Sequence, residues 1–270
     1  MGRLIGYMAN RPDRLAAALH QERVVVNPPA VGAETGWGVG FYQNGEVLHK
    51  KRPRLDSGEF DWEQLARDVM SDCVVLHLRQ PTVGDFRTQN THPFRMRRWL
   101  FAHTGTIGRF DAIEERLRAS LPDFLQRNIR GTTDSEVFFH LILSFLHDAG
   151  QLDSYDVDAQ VMVSAIRSTV AMVDRLSAEV GGEPATLNLV LTNGRTMLTL
   201  RRGAPMAYVE RRGLHDPPGD VPPARPGAPD LLRYVMFAGG ADDAPSPWRP
   251  MEEGQMVVVD RNLTVHSHTL

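Results

Sequence analysis

Two Asn-Gly dipeptides, at 44–45 and 193–194, limit the fold of this chain more than any other feature. The first joins WGVGFY (37–42) to VLHKK (47–51). The second lies within TLNLVLTNGRTMLTLRRG (186–203). Asn-Gly accepts the positive φ of a tight turn, so both stretches read as antiparallel hairpins. Other strand-like runs are RLIGYM (3–8), CVVLHLR (73–79), RRWLFAH (97–103), RYVMFA (233–238) and QMVVVDRNLTVHSH (255–268). Between them lie helical stretches. Pro12 suits the first turn of a helix over 13–20, and DWEQLARDVM (61–70) has helical spacing. Two more helices are expected at 110–119 and 121–128. Thr133 with Glu136 three residues on is a capping box that starts the next helix, and Gly150 is its stop. A long helix over 156–180 carries Val161, Ile166, Val170 and Val173. HDPPGDVPPARPGAPD (215–230) reads as a surface loop, and TGTIG (104–108) as a glycine-rich loop. Strands, then paired helices, then strands with hairpins predict an α+β chain with antiparallel sheets. A single domain over 1–270 is expected.

Composition removes several function classes. The 270 residues carry a formal net charge of −3, so nothing favours nucleic acid electrostatically. The basic clusters HKKRPR (49–54) and FRMRRW (94–99) read as solvated faces. A lone cysteine, Cys73, excludes an internal disulfide framework and suits a reducing compartment. No stretch approaches the ~20 apolar residues of a membrane span, and Arg11, Asp13 and Arg14 interrupt any signal-peptide pattern. The expectation is a cytoplasmic protein without membrane contact. His266 and His268 share a strand face but lack further ligands, so neither a metal nor any other cofactor is expected. GWGVGF (36–41) precedes a hairpin rather than a helix, which rules against a dinucleotide loop.

Three short motifs carry chemistry. In LHLRQPTVG (76–84), Arg79 ends an apolar strand, where a guanidinium can grip a carboxylate through two parallel hydrogen bonds. In FAHTGTI (101–107), Gly105 lets backbone approach a ligand and offers an N–H to a developing oxyanion. In TTDSE (132–136), Asp134 sits in a first helical turn and can pair with an ammonium. Each has a plainer reading alone: an ion pair, a turn, a capping carboxylate. Together they describe a site for an amino acid with a reacting side-chain amide.

GRLIGY, GWGVGFY, HLRQPTVG, NTHPF, WLFAHTGTI and GTTDSEVFFHLI together resemble the class II glutamine amidotransferases, most closely their small stand-alone branch without a synthase domain. The resemblance is strong over residues 1–145 and weak beyond. It implies an N-terminal nucleophile hydrolase fold: a four-layer αββα sandwich, two antiparallel sheets between helix layers. In that family the residue after the initiator methionine is cysteine. Its α-amine acts as base, its thiolate attacks the glutamine side-chain amide, and ammonia leaves. On this mapping Arg79 holds the substrate α-carboxylate and Asp134 its α-ammonium. Gly105 supplies an oxyanion N–H, while Thr82 and His103 complete the substrate-binding residues.

The chain departs from the family where it reacts. Position 2 is Gly2, which has no nucleophile, and the family's His-Asn-Gly reads His103-Thr104-Gly105. The late loop that is often Ala-Ser-Glu reads Ala238-Gly239-Gly240. Loss of one oxyanion donor costs ~10²–10³ in rate, and loss of a nucleophile on the order of 10⁶. Cys73 cannot substitute: six strand residues place it about 20 Å from Arg79. The expectation is therefore a catalytically degenerate relative that keeps a pocket for glutamine or a γ-glutamyl ligand, acting as a sensor or beside a protein partner. The rival readings are an active amidohydrolase in which Gly2 is an engineered replacement, and a non-catalytic interaction scaffold.

Overall fold

The computed structural model describes residues 2–27, 36–54, 61–79, 85–214, 231–241 and 243–270. In chain order its strands are β1 (Arg3–Ala9), β2 (Gly36–Gln43), β3 (Glu46–Arg52), β4 (Cys73–Arg79), β5 (Phe94–Met96), β6 (Trp99–Thr106), β7 (Thr186–Thr192), β8 (Met197–Leu200), β9 (Met206–Leu214), β10 (Leu232–Gly239), β11 (Arg249–Pro250), β12 (Gln255–Val259) and β13 (Val265–Thr269). The helices are α1 (Leu15–Gln21), α2 (Arg23–Val26), α3 (Trp62–Ala66), α4 (Phe110–Ala119), α5 (Asp123–Gln126), α6 (Asp134–Asp148) and α7 (Ala159–Glu179). One sheet has the order β11-β9-β10-β1-β4-β2-β3 and the other β13-β12-β8-β7-β6-β5. Every pairing is antiparallel.

Strand alternation sorts the side chains into three apolar layers. Leu4 and Met8 of β1, with Cys73 and Val75 of β4, meet Leu100, Ala102, Val190 and Val257 between the sheets. The opposite faces of β1 and β4, at Ile5, Tyr7, Val74 and Leu76, pack against Leu15, Leu19 and Trp62. The outer face of the second sheet, at Phe101, Leu189 and Leu191, packs against α4, α6 and α7 through Ile113, Phe138, Ile142 and Ile166. Helix, sheet, sheet, helix is the four-layer order the resemblance implies.

The first Asn-Gly turn has positive φ at both Asn44 (53°) and Gly45 (82°), as a two-residue hairpin requires. Thr133 caps α6 by accepting from the Glu136 N–H at 3.3 Å. The capping box, however, is only half present. The Glu136 carboxylate accepts from the N–H groups of Arg130 (3.0 Å) and Gly131 (2.5 Å), holding the preceding loop rather than its own cap.

Other elements shift for tertiary reasons. Pro12 precedes α1 instead of opening it, because Arg11 and Arg14 fold inward around Asp13. α3 stops at Ala66, and a turn with Val69 N–H on the Ala66 carbonyl seats Val69 in the core. β6 continues through Thr106, so TGT is strand rather than loop. β9, with its run of Glu210, Arg211 and Arg212, lacks the alternation that would announce a strand. It forms because β10 pairs with it, and Arg211 reaches buried Glu22, which also accepts from Tyr234 Oη and Trp248 Nε1. The proline-rich stretch 215–230 lies outside the described residues.

Candidate active site

β1 and β4 run antiparallel with Arg3 opposite Leu78, so the first residues of the chain come beside the last residues of β4. Strand alternation puts His77 and Arg79 on the inner face with Val75, at the end where the apolar filling stops. On the facing sheet Thr104 continues the inner series Leu100, Ala102. A cavity of about 390 Å³ opens there, lined by Gly2, His77, Arg79, His92, His103, Thr104, Gly105, Asp134, Ser135 and Thr186.

Its two charged ends are held from different elements. Arg79 is buried and donates from Nη1 to the Asp85 carbonyl at 2.8 Å. Burial lowers its pKa from the ordinary arginine value, and the negative charges of Asp85 and Asp134 work against that shift. Asp134 is buried in the first turn of α6. Its Oδ2 accepts from the Ile107 N–H at 3.0 Å and its Oδ1 from the Ser135 N–H at 2.8 Å. Two backbone bonds leave this carboxylate acceptor capacity for an ammonium.

Histidines form the remaining wall. His103 Nε2 faces the Thr186 carbonyl at 3.2 Å and so carries the proton, which leaves Nδ1 to accept from Ser135 Oγ at 2.9 Å. His77 Nε2 pairs with Thr104 Oγ1 at 3.2 Å across the gap between the sheets, and its Nδ1 has no hydrogen-bond partner among the described residues. Among the described residues His92 has no hydrogen-bond partner at either ring nitrogen; its ring lies 4.4 Å from His77 and 4.7 Å from Phe94. Burial, with help from neighbouring cationic groups, pushes His77 down to about 3 and His92 well below the ordinary histidine value; burial also lowers His103. Neutral rings with unpartnered buried nitrogens are a costly surface to leave dry, so this wall suits a polar ligand. Among the described residues no group of three or more His, Cys, Asp or Glu is arranged to hold a metal ion.

The structure thus gathers Gly2, Arg79, His103, Thr104, Gly105 and Asp134 around one cavity, while Thr82 lies outside the described residues. Gly105 has φ of 149°, and a Cβ there would stand 1.9 Å from the Thr186 carbonyl oxygen, so close strand contact alone demands glycine. Thr104 directs its hydroxyl at His77. Ala238-Gly239-Gly240 lies against the chain start: Leu4 pairs with Gly239, and Arg3 donates to the carbonyls of Gly239 (3.0 Å) and Gly240 (2.5 Å). Cys73 stands at the other end of β4, fully buried, its Sγ 3.3 Å from Thr192 Oγ1 and its thiol pushed up to about 12 by burial. Sequence reasoning missed His77, His92, Ser135 and Thr186. His77 was within reach, because it lies two residues before Arg79 and shares its strand face.

Known proteins share the family and the fold of this chain. The family described as glutamine amidotransferases class-II matches residues 1–221. A Saccharomyces cerevisiae protein named probable glutamine amidotransferase DUG3 is 28% identical over 180 residues, 62% of this chain and 50% of that protein. The gamma-glutamyl-hercynylcysteine sulfoxide hydrolase of Mycobacterium tuberculosis is 32% identical over 75 residues, 27% of this chain and 32% of the hydrolase. The matched part thus spans about half or less of these relatives' length. The solved structure of a glutamine aminotransferase class-II domain protein from Silicibacter pomeroyi shares the fold, with a TM-score of 0.61 at 19% identity, covering 99% of this chain and 98% of that one.

Proposed function

The chain belongs to the class II glutamine amidotransferases, and from that premise we propose that it is a catalytically degenerate member that binds glutamine or a γ-glutamyl compound without turning it over. One observation carries this reading: Gly2 lines the same cavity as Arg79 and Asp134. The two charges that an amino acid's α-carboxylate and α-ammonium require are present, and the residue beside them has no side chain with which to attack. The Thr104 hydroxyl, bonded to His77, is a shorter donor than the family's asparagine amide. Neutral His77 and His92 offer hydrogen bonds to a side-chain amide without adding charge, which favours a γ-amide over a second carboxylate. The γ-glutamyl relative supports the wider ligand class. In the cell the domain would serve in the cytoplasm as a ligand sensor or as the non-catalytic partner of another protein.

Calorimetric titration with glutamine and with a γ-glutamyl dipeptide tests the binding half. Saturable heat is expected. Arg79→Ala should weaken it by about 30-fold or more, since truncating one side of a buried charge-assisted contact costs about 2–5 kcal/mol. Flat titrations at millimolar ligand would remove the pocket from the proposal. Ammonia release tests the other half: the native chain should stay at background, and Gly2→Cys with Thr104→Asn should raise it. Enzyme-like release by the native chain would overturn the reading.

A further inference from the structure

We propose that a second cavity, at the opposite end of β1 and β4 from the candidate active site, binds a small soluble diphosphate-type anion. The cavity measures about 430 Å³, and its lining shares no residue with the first. It lies where three turns of the second sheet come together over the residues that precede β4. Each turn contributes one arginine: Arg98 between β5 and β6, Arg195 between β7 and β8, and Arg261 between β12 and β13. Such a concentration is not a reflection of bulk charge, since the chain carries a formal −3.

The cations are held in place before any ligand arrives. The buried Tyr42 hydroxyl lies 2.7 Å from the Arg98 carbonyl and 2.9 Å from the Thr192 carbonyl, tying two of the turns together. Asn193 Oδ1 accepts from the N–H groups of Arg195 and Thr196, both at 3.0 Å, which fixes the second turn. The guanidiniums of Arg98 and Arg195 both stack on Tyr155, at 4.5 Å and 4.7 Å from the ring centroid. Stacking presents the planar N–H edges of a guanidinium outward, the edge that matches phosphoryl oxygens.

Charge is incompletely matched. Arg261 pairs with Asp72 and Arg195 with Asp156. Among the described residues Arg98 has no carboxylate partner. Two guanidiniums on one ring repel each other, and an anion bridging them would remove that repulsion while adding charge-assisted hydrogen bonds. A diphosphate, multiply charged and rich in oxygens, can reach arginines on three turns around one cavity better than a single carboxylate can, and the volume of about 430 Å³ accommodates it.

Inorganic pyrophosphate titrated calorimetrically into the full chain at low salt tests the site. Saturable binding is expected. It should weaken by about tenfold or more in Arg98→Ala with Arg195→Ala, the loss of one or two charge-assisted contacts, and stay within twofold of native in Arg79→Ala. The absence of saturable heat to 10-fold molar excess over a millimolar concentration, equal affinity in the double variant, or loss through Arg79→Ala instead would each overturn the proposal. A measurement on the native chain guards against a variant that fails to fold. Pyrophosphate should protect Arg98 and Arg195 from phenylglyoxal, read by peptide mapping, and unprotected modification of both would equally overturn it.

Discussion

The two ends of β4 face the same gap between the same two sheets, yet they are built on opposite terms. At its start, the Cys73 side chain lies in apolar packing with Val75 and Leu100, and its thiol contacts Thr192 Oγ1 within the core. At its end, six residues later, the same inner face carries His77 and Arg79 into a cavity where three ring nitrogens of His77 and His92 have no hydrogen-bond partner among the described residues. Beneath the arginine cavity, the sheets are filled at the start of β4 by methyl groups and sulfur, which bury no polar group without a partner. Keeping the other end open to a ligand means burying histidines in neutral form. The contrast separates residues that hold the sandwich together from residues that wait for something to bind.

Acid should expose this difference most strongly. The folded-state values of His77, His92 and His103 lie below the unfolded value near 6.5. Above that pH both states are neutral and stability is full. As pH falls below about 6.5 the unfolded chain takes up protons that the folded chain refuses, so stability drops by up to about 1.4 kcal/mol per pH unit for each ring. For His77 the loss continues to about pH 3. Denaturant unfolding should show lower stability at pH 5 than at pH 7, and His92→Phe should flatten that dependence. An unchanged pH profile in His92→Phe would break the picture of a strained polar wall.

A smaller effect is expected from Gly105→Ala. The new Cβ would meet the Thr186 carbonyl oxygen at 1.9 Å, and backbone cannot yield as a flexible side chain can. The cost should be on the order of 3 kcal/mol in chemical unfolding, and a neutral substitution would show that β6 and β7 are looser at the site than their register implies. The least is expected from Cys73→Ala, in the apolar packing at the start of β4. Loss of a sulfur from a packed core should cost about 1–2 kcal/mol, with glutamine binding unchanged, and the native thiol should resist Ellman's reagent while the fold is intact. Rapid labelling of the native chain would mean that the two ends are less different than they look.

Much of this architecture was legible in the residues. Alternating strands around Asn44-Gly45, the exact span of CVVLHLR and the Thr133 cap are local facts, decided by φ preferences and by which faces can be apolar. The family resemblance named Arg79, Asp134 and Gly2 as neighbours, although they are separated by up to 132 positions. β9 escaped notice because its charges are satisfied in part from far away in sequence, Arg211 by Glu22 and Glu210 by Arg249. So did His92, whose role as cavity wall depends on where a loop crosses the mouth of the sandwich.

What the sequence determined by itself was most of the strands, their alternating faces and the absence of an attacking atom at position 2, since each follows from residues that are neighbours along the chain or from a side chain that does not exist. Only the tertiary structure decided that His77 would meet Thr104 across the gap, that Glu136 would leave its own cap to hold a loop, and that three arginines from separate turns would share one cavity. Those contacts depend on how two sheets are set against each other, and that placement is fixed by the summed packing of both inner faces rather than by any short stretch of residues.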